Sequence, residues 1–156
     1  MSSINLAKTF VTVFDEMLSY LDIDHKFMCE VPESSLNSGE PVNVLVGVTG
    51  DMEGNIMFGY APETAKDIVA KLIGVKSIGK LDSFAEAALA DFCADFCRRF
   101  IQMIKIEYNV VLSYPSYASG DDMYAMISKV PSKKIFFKIN EKKFNMAYNL
   151  EKTHGG

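Results

Sequence analysis

Tryptophan is absent from this 156-residue chain, and histidine, cysteine and proline are scarce, at two, three and five copies. His25 and His154 stand alone, so neither a histidine-rich metal centre nor a nucleophile paired with a histidine base has the residues it needs. Three cysteines are an odd count for a disulfide framework. Cys93 and Cys97 lie four apart in a helical pattern and Cys29 is remote, which fits reduced, buried thiols in a cytoplasmic protein better than cross-links or zinc. No apolar run approaches the roughly 18 residues of a membrane span, and the N-terminus lacks a charged stretch followed by an apolar one, so no membrane and no secretory signal is expected. Blocks of one charge are missing too. The net charge is −4, with lysine and arginine spread singly or in pairs, and this excludes a nucleic-acid footprint. The densest basic patch, Lys129, Lys133, Lys134, Lys138, Lys142 and Lys143, alternates with apolar residues, as solvated strand faces and edges do. A phosphate-cradling glycine loop is also lacking, since Thr49–Gly54 sits between strand-like runs and not before a helix.

What is plentiful is apolar side chain, 49% of the chain, enough for one core and one domain over residues 1–156. Leu6, Phe10, Val13, Phe14, Met17, Leu18 and Leu21 recur at three- and four-residue steps, so residues 5–21 are expected to form an amphipathic helix. The stretch holding Pro32, Ser34, Ser35, Asn37, Ser38, Gly39 and Pro41 reads as a connection. Val42–Val48 and Asn55–Tyr60 read as the arms of a hairpin turning at Thr49–Gly54. Pro62-Glu63 opens a second helix that Gly74 ends, and Leu81-Asp82-Ser83 starts a long third one that stops near Glu107. Beyond it come a turn at Ser113-Tyr114-Pro115, a loop at Ser119–Asp122, and strand-like runs at Met123–Val130, Lys134–Asn140 and Phe144–Leu150, the last two flanking the turn Glu141–Lys143. The order predicts an α+β fold with long helices packed on one face of a largely antiparallel sheet.

At 100° per residue, Leu81–Lys105 divides into two faces. Leu89, Phe92, Cys93, Phe96, Phe100, Met103 and Ile104 share one. Asp91, Asp95, Arg98, Gln102 and Lys105 form a polar stripe on the other, with Ala94 at its margin. Alone, such a stripe is an ordinary solvated face laced with i, i+3 and i, i+4 charge contacts.

Three segments give it another meaning. Val46–Gly59, Pro62–Gly74 and Leu112–Gly120 resemble, in order and separation, the hairpin, following helix and strand-to-proline segment of the CheC/CheX-type chemotaxis phosphatases. The resemblance implies a CheX-like domain of two-component signalling that binds a phosphorylated CheY-type response regulator and hydrolyses its aspartyl phosphate. Any Mg2+ would be carried by that receiver partner, and no cofactor is expected of this chain itself. In the family a helix acid pairs with a receiver lysine, and an asparagine three residues on holds the attacking water. Carried over, the acid falls on Asp91 and the asparagine on Ala94, a degenerate position. Arg98 stands where the family has a glycine. Asp91, Asp95 and Arg98 become the expected partner-binding surface. Gln102, the one amide on the helix, lies about 16 Å from Asp91 by helix rise, a poor substitute for the missing asparagine. Whether the chain is an enzyme is thus open, since its family is catalytic and its catalytic amide is gone. The alternative is a non-catalytic dimerisation or interaction module that retains only the fold, with a homodimer as its simplest form.

Overall fold

In the computed structural model, which describes residues 5–119 and 129–153, helix α1 spans Leu6–Tyr20. Asn5 caps it, its Oδ1 accepting the Lys8 N–H at 3.1 Å. Strands β2 (Val42–Gly50) and β3 (Met52–Tyr60) form the expected hairpin, and both arms are longer than the sequence implies. Their mutual pairing stops at Val48 and Gly54. Past that point each arm pairs outward, β2 with β4 (Val110–Leu112) and β3 with β7 (Lys142–Lys152). Gly54, with φ of +152°, lies where a Cβ would drive into the Asn149 carbonyl of β7. Glycine there serves a close strand approach and not the turn itself.

Helix α2 is Pro62–Ile73, with proline in its first turn and Gly74 as a left-handed C-cap, φ 77° and ψ 29°. Helix α3 is Ser83–Ile104, capped by Asp82, whose Oδ1 accepts the Ala85 N–H at 2.9 Å. The pair β6 (Ser132–Ile139) and β7 turns through Asn140 and Glu141, both at positive φ, so Lys142 and Lys143 belong to the strand and not to the turn.

Among the described residues all strand pairs are antiparallel, in the order β1 (His25–Glu33)–β6–β7–β3–β2–β4, with β5 (Ser116–Ser119) also on β2. The α+β expectation of helices over one face of an antiparallel sheet is met. Two of its details are corrected. His25–Glu33 is strand β1, where the sequence shows no strand signal and Pro32 argues for a connection. It is an edge strand, mostly exposed, with a register shift between Phe27 and Cys29, so no clean alternation exists to be read. Secondly, β4 and β5 lie end to end along one side of β2, and Ser113-Tyr114-Pro115 is the break between them. Ser113 fastens the break, exchanging bonds with Gly47 at 2.7 and 2.8 Å. The expected run Met123–Val130 and loop Ser119–Asp122 fall largely outside the described residues.

Val42, Val44, Val46 and Val48 of β2, Ile56, Phe58 and Tyr60 of β3, Ile135 and Phe137 of β6, and Phe144 and Met146 of β7 are buried on the helix-covered face. Phe14 of α1 sits amid Phe96, Phe144, Phe137 and Phe58, with ring centroids 4.3, 4.9, 5.1 and 6.1 Å away. The opposite face holds a smaller cluster of Leu36, Met57 and Ala147.

Candidate functional site

Helix α3 packs on both α1 and α2, so its orientation is fixed from two sides and from below. Leu89, Phe92, Cys93, Phe96, Cys97, Phe100 and Ile104 face the core. Met103, grouped with them by helical angle, is 47% exposed. Beneath the candidate site, the Tyr60 hydroxyl and Cys93 Sγ lie 3.0 Å apart, both fully buried. Burial pushes the Cys93 thiol well above its ordinary value and the Cys97 thiol up to about 12, so neither supplies a thiolate near neutral pH. These two are the buried thiols the spacing implies, whereas Cys29 is exposed on β1, and all three are free.

The outward face brings together Asp91, Ala94, Asp95 and Arg98. Asp91 and Arg98 are exposed, Ala94 and Asp95 half-buried, and Gln102 is exposed farther along. The two acids differ in state. Asp95 is engaged twice, by Arg99 Nε at 3.2 Å and Arg98 Nη2 at 3.6 Å. Asp91 forms no hydrogen bond or ion pair with any described residue, so its carboxylate is available to an incoming cation. Arg99 was missed in the sequence, although its i, i+4 spacing from Asp95 signals the contact. Phe84 is the other omission. It lies on the same stripe, seven residues before Asp91, and is 66% exposed.

Chemically the face offers one free carboxylate, one neutralised carboxylate and two arginines. Ala94 adds a methyl and no hydrogen-bonding group. Among the described residues no three of histidine, cysteine, aspartate and glutamate converge as a metal site, and no helix is long and apolar enough to cross a membrane. Of the C-terminal lysines, Lys133, Lys134 and Lys138 lie on β6, Lys142 and Lys143 on β7, and Lys129 precedes both. Lys134 reaches Glu33 at 3.7 Å, and Lys142 reaches Asp67 at 2.6 Å.

No protein-family profile matches the sequence. The chain is similar to a curated protein, the CheY-P phosphatase CheX of Thermotoga maritima, 23% identical over 127 residues, which are 77% of this chain and 81% of that protein. Among solved structures, a chemotaxis protein CheX from Desulfovibrio desulfuricans superposes with a TM-score of 0.79 at 22% identity, covering 95% of this chain and all of that one. The CheX–CheY–BeF3–Mg2+ complex from Borrelia burgdorferi matches with a TM-score of 0.69 at 18% identity, over 96% and 99% of the two chains. The chain thus has the fold of the CheX/CheC-like chemotaxis proteins, and its sequence is similar to that of a CheX along most of that protein's length.

Proposed function

We propose that this chain is a cytoplasmic protein that docks through the outer face of α3 on phosphorylated CheY-type receivers, and that its phosphatase activity is weak or lost. The observation that carries the reading is the pairing of an exposed, unengaged Asp91 with Ala94 one turn on. The carboxylate can meet a receiver cation, with Asp95 and Arg98 flanking the contact. The methyl of Ala94 can neither accept from nor donate to a water, so this position does not align the nucleophile with the phosphorus. The proposal assigns no cofactor to the chain, the Mg2+ belonging to the receiver. Gln102 is placed too far along the helix to act at the same phosphorus.

The test is dephosphorylation of phosphorylated CheY-type receivers by the parent and by Ala94→Asn. The variant is expected to gain up to about 100-fold over the parent, the scale on which positioning acts. Parent activity that Gln102→Ala abolishes would instead make Gln102 the water-holding group. No activity and no binding in either protein would refute the docking reading.

One observation favours a second reading, the non-catalytic homodimer. Met103, Ile106, Val111 and Tyr114 are exposed around the end of α3 and at β4, the last strand in the order of the described sheet. Sedimentation equilibrium of parent and Val111→Lys separates the readings. A dimer broken by the variant, with no receiver binding, would favour the interaction module.

A further inference from the structure

The α3 stripe does not end at Asp91. Seven residues earlier, only about 20° round the helix and roughly 10 Å along it, Phe84 projects its ring into solvent. Beside it a groove of about 560 Å³ opens between the end of α2 and the start of α3, walled by Val69, Ile73, Ile78 and Ala85. An exposed aromatic next to an apolar cleft is costly to leave wet and has the composition of an interface anchor.

The rim has a definite charge. From Ile68 to Leu81 the chain carries Lys71, Lys76 and Lys80 and no acid, in a protein whose net charge is −4. All three lysines are exposed, and Lys80 also lines the groove. The one acid lining it, Asp82, has its carboxylate committed to the Ala85 N–H as the α3 cap. The cleft is therefore apolar within, and beside it Lys80 in its wall and Lys76 in the same connection outnumber the capping Asp82, while Lys71 lies on the far side of α2 from Val69 and Ile73.

We infer that this groove is a second contact for the receiver that meets Asp91, taking an apolar side chain set among carboxylates on the receiver's surface, with Phe84 as its anchor. The inference rests on the docking reading above. The span from Phe84 to Asp91 fits within one partner's share of a standard interface, about 800 Å². One receiver can cover both, and a basic rim complements an acidic partner face in steering and register.

The experiment uses the full chain and the CheY-type receivers of the source organism, each as its beryllofluoride–Mg2+ form, with calorimetric affinities and stopped-flow association rates. Phe84→Asp is expected to weaken binding at least about tenfold, and Phe84→Leu to retain most of it. Lys76→Glu with Lys80→Glu should slow association and flatten its salt dependence. Because these side chains are exposed, the thermal midpoints should match the parent's. If Asp91→Lys abolishes binding while the Phe84 and lysine variants bind as the parent does, the groove is not part of the interface, and the docking reading survives alone. If no receiver binds the parent, the inference and that reading fall together. Should Phe84→Asp change only self-association in the ultracentrifuge, the groove serves a second copy, and the inference is overturned.

Discussion

Gly54 and Gly74 show how different the demands on one residue type can be. Gly74 has φ of +77° with open space around it, so an added methyl meets nothing but its own backbone preference. Gly74→Ala is expected to cost about 1 kcal/mol, the penalty of a left-handed alanine. Gly54 adds a steric conflict, because its missing Cβ would overlap the Asn149 carbonyl across the β3–β7 pairing. Gly54→Ala should therefore exceed about 3 kcal/mol, adding separation of two central strands to dihedral strain. Urea midpoints of the two variants check the ordering, and equal losses would mean that the sheet yields at Gly54. The sequence makes Gly74 legible, because it ends an apolar repeat. It assigns Gly54 to a turn, because the carbonyl that demands a glycine comes from a strand about a hundred residues away. The site follows the same rule. Asp91, Ala94, Asp95 and Arg98 share a face, as helical spacing requires. Spacing signals the arginines three and four residues beyond Asp95; what it cannot show is that no other described element reaches Asp91.

At the scale of elements, the first helix and first strand are joined by a titratable clip. His25 places Nε2 2.8 Å from Asp15 Oδ1 on α1 and Nδ1 2.8 Å from the Ile23 carbonyl oxygen. Both neighbours are acceptors, so only the imidazolium satisfies both. Burial acts to lower the imidazole's pKa, but the Ile23 carbonyl and the Asp15 carboxylate, with Asp24 nearby, outweigh it and leave it raised above 6.5. A group raised on folding contributes its stability in full below the unfolded value and loses it as pH climbs through the folded one. The deficit of His25→Gln relative to the parent should thus be largest near pH 6 and shrink toward pH 8, around histidine's ordinary range. Thermal midpoints across that interval test it, and a constant deficit would show that the clip acts by packing alone. This strand was also the least legible element. Helices α1, α2 and α3 announce themselves by spacing and caps, and the central strands by buried valines and phenylalanines. Edge strands are held by backbone bonds to a neighbour, so β1, with its bulge and Pro32, and β4 with β5, broken at Pro115, leave little alternation in their side chains.

For the whole molecule, the decisive fact is that the candidate site and the core use opposite faces of one helix. Phe96 lies 4.3 Å from the Phe14 ring by centroids, while Asp91, Ala94 and Arg98 look outward or lie at the margin. Phe14→Ala removes a fully buried ring that meets α3, β3, β6 and β7 together, and should cost about 3–5 kcal/mol, the range for emptying an aromatic core position. That is a large part of the roughly 5–15 kcal/mol that holds a domain of this size folded. Asp91→Lys and Ala94→Asn touch no core contact, and each should move stability by less than about 1 kcal/mol, chiefly through helix propensity. Urea denaturation of the three variants therefore predicts one strongly lowered midpoint and two nearly unchanged. If that separation holds, any gain of hydrolysis by Ala94→Asn, or loss of receiver binding by Asp91→Lys, reports on the chemistry of the face and not on the fold beneath it. A large loss in either site variant would mean that the outer stripe of α3 helps to hold the helix in place, and its binding phenotype would have to be read as a folding defect.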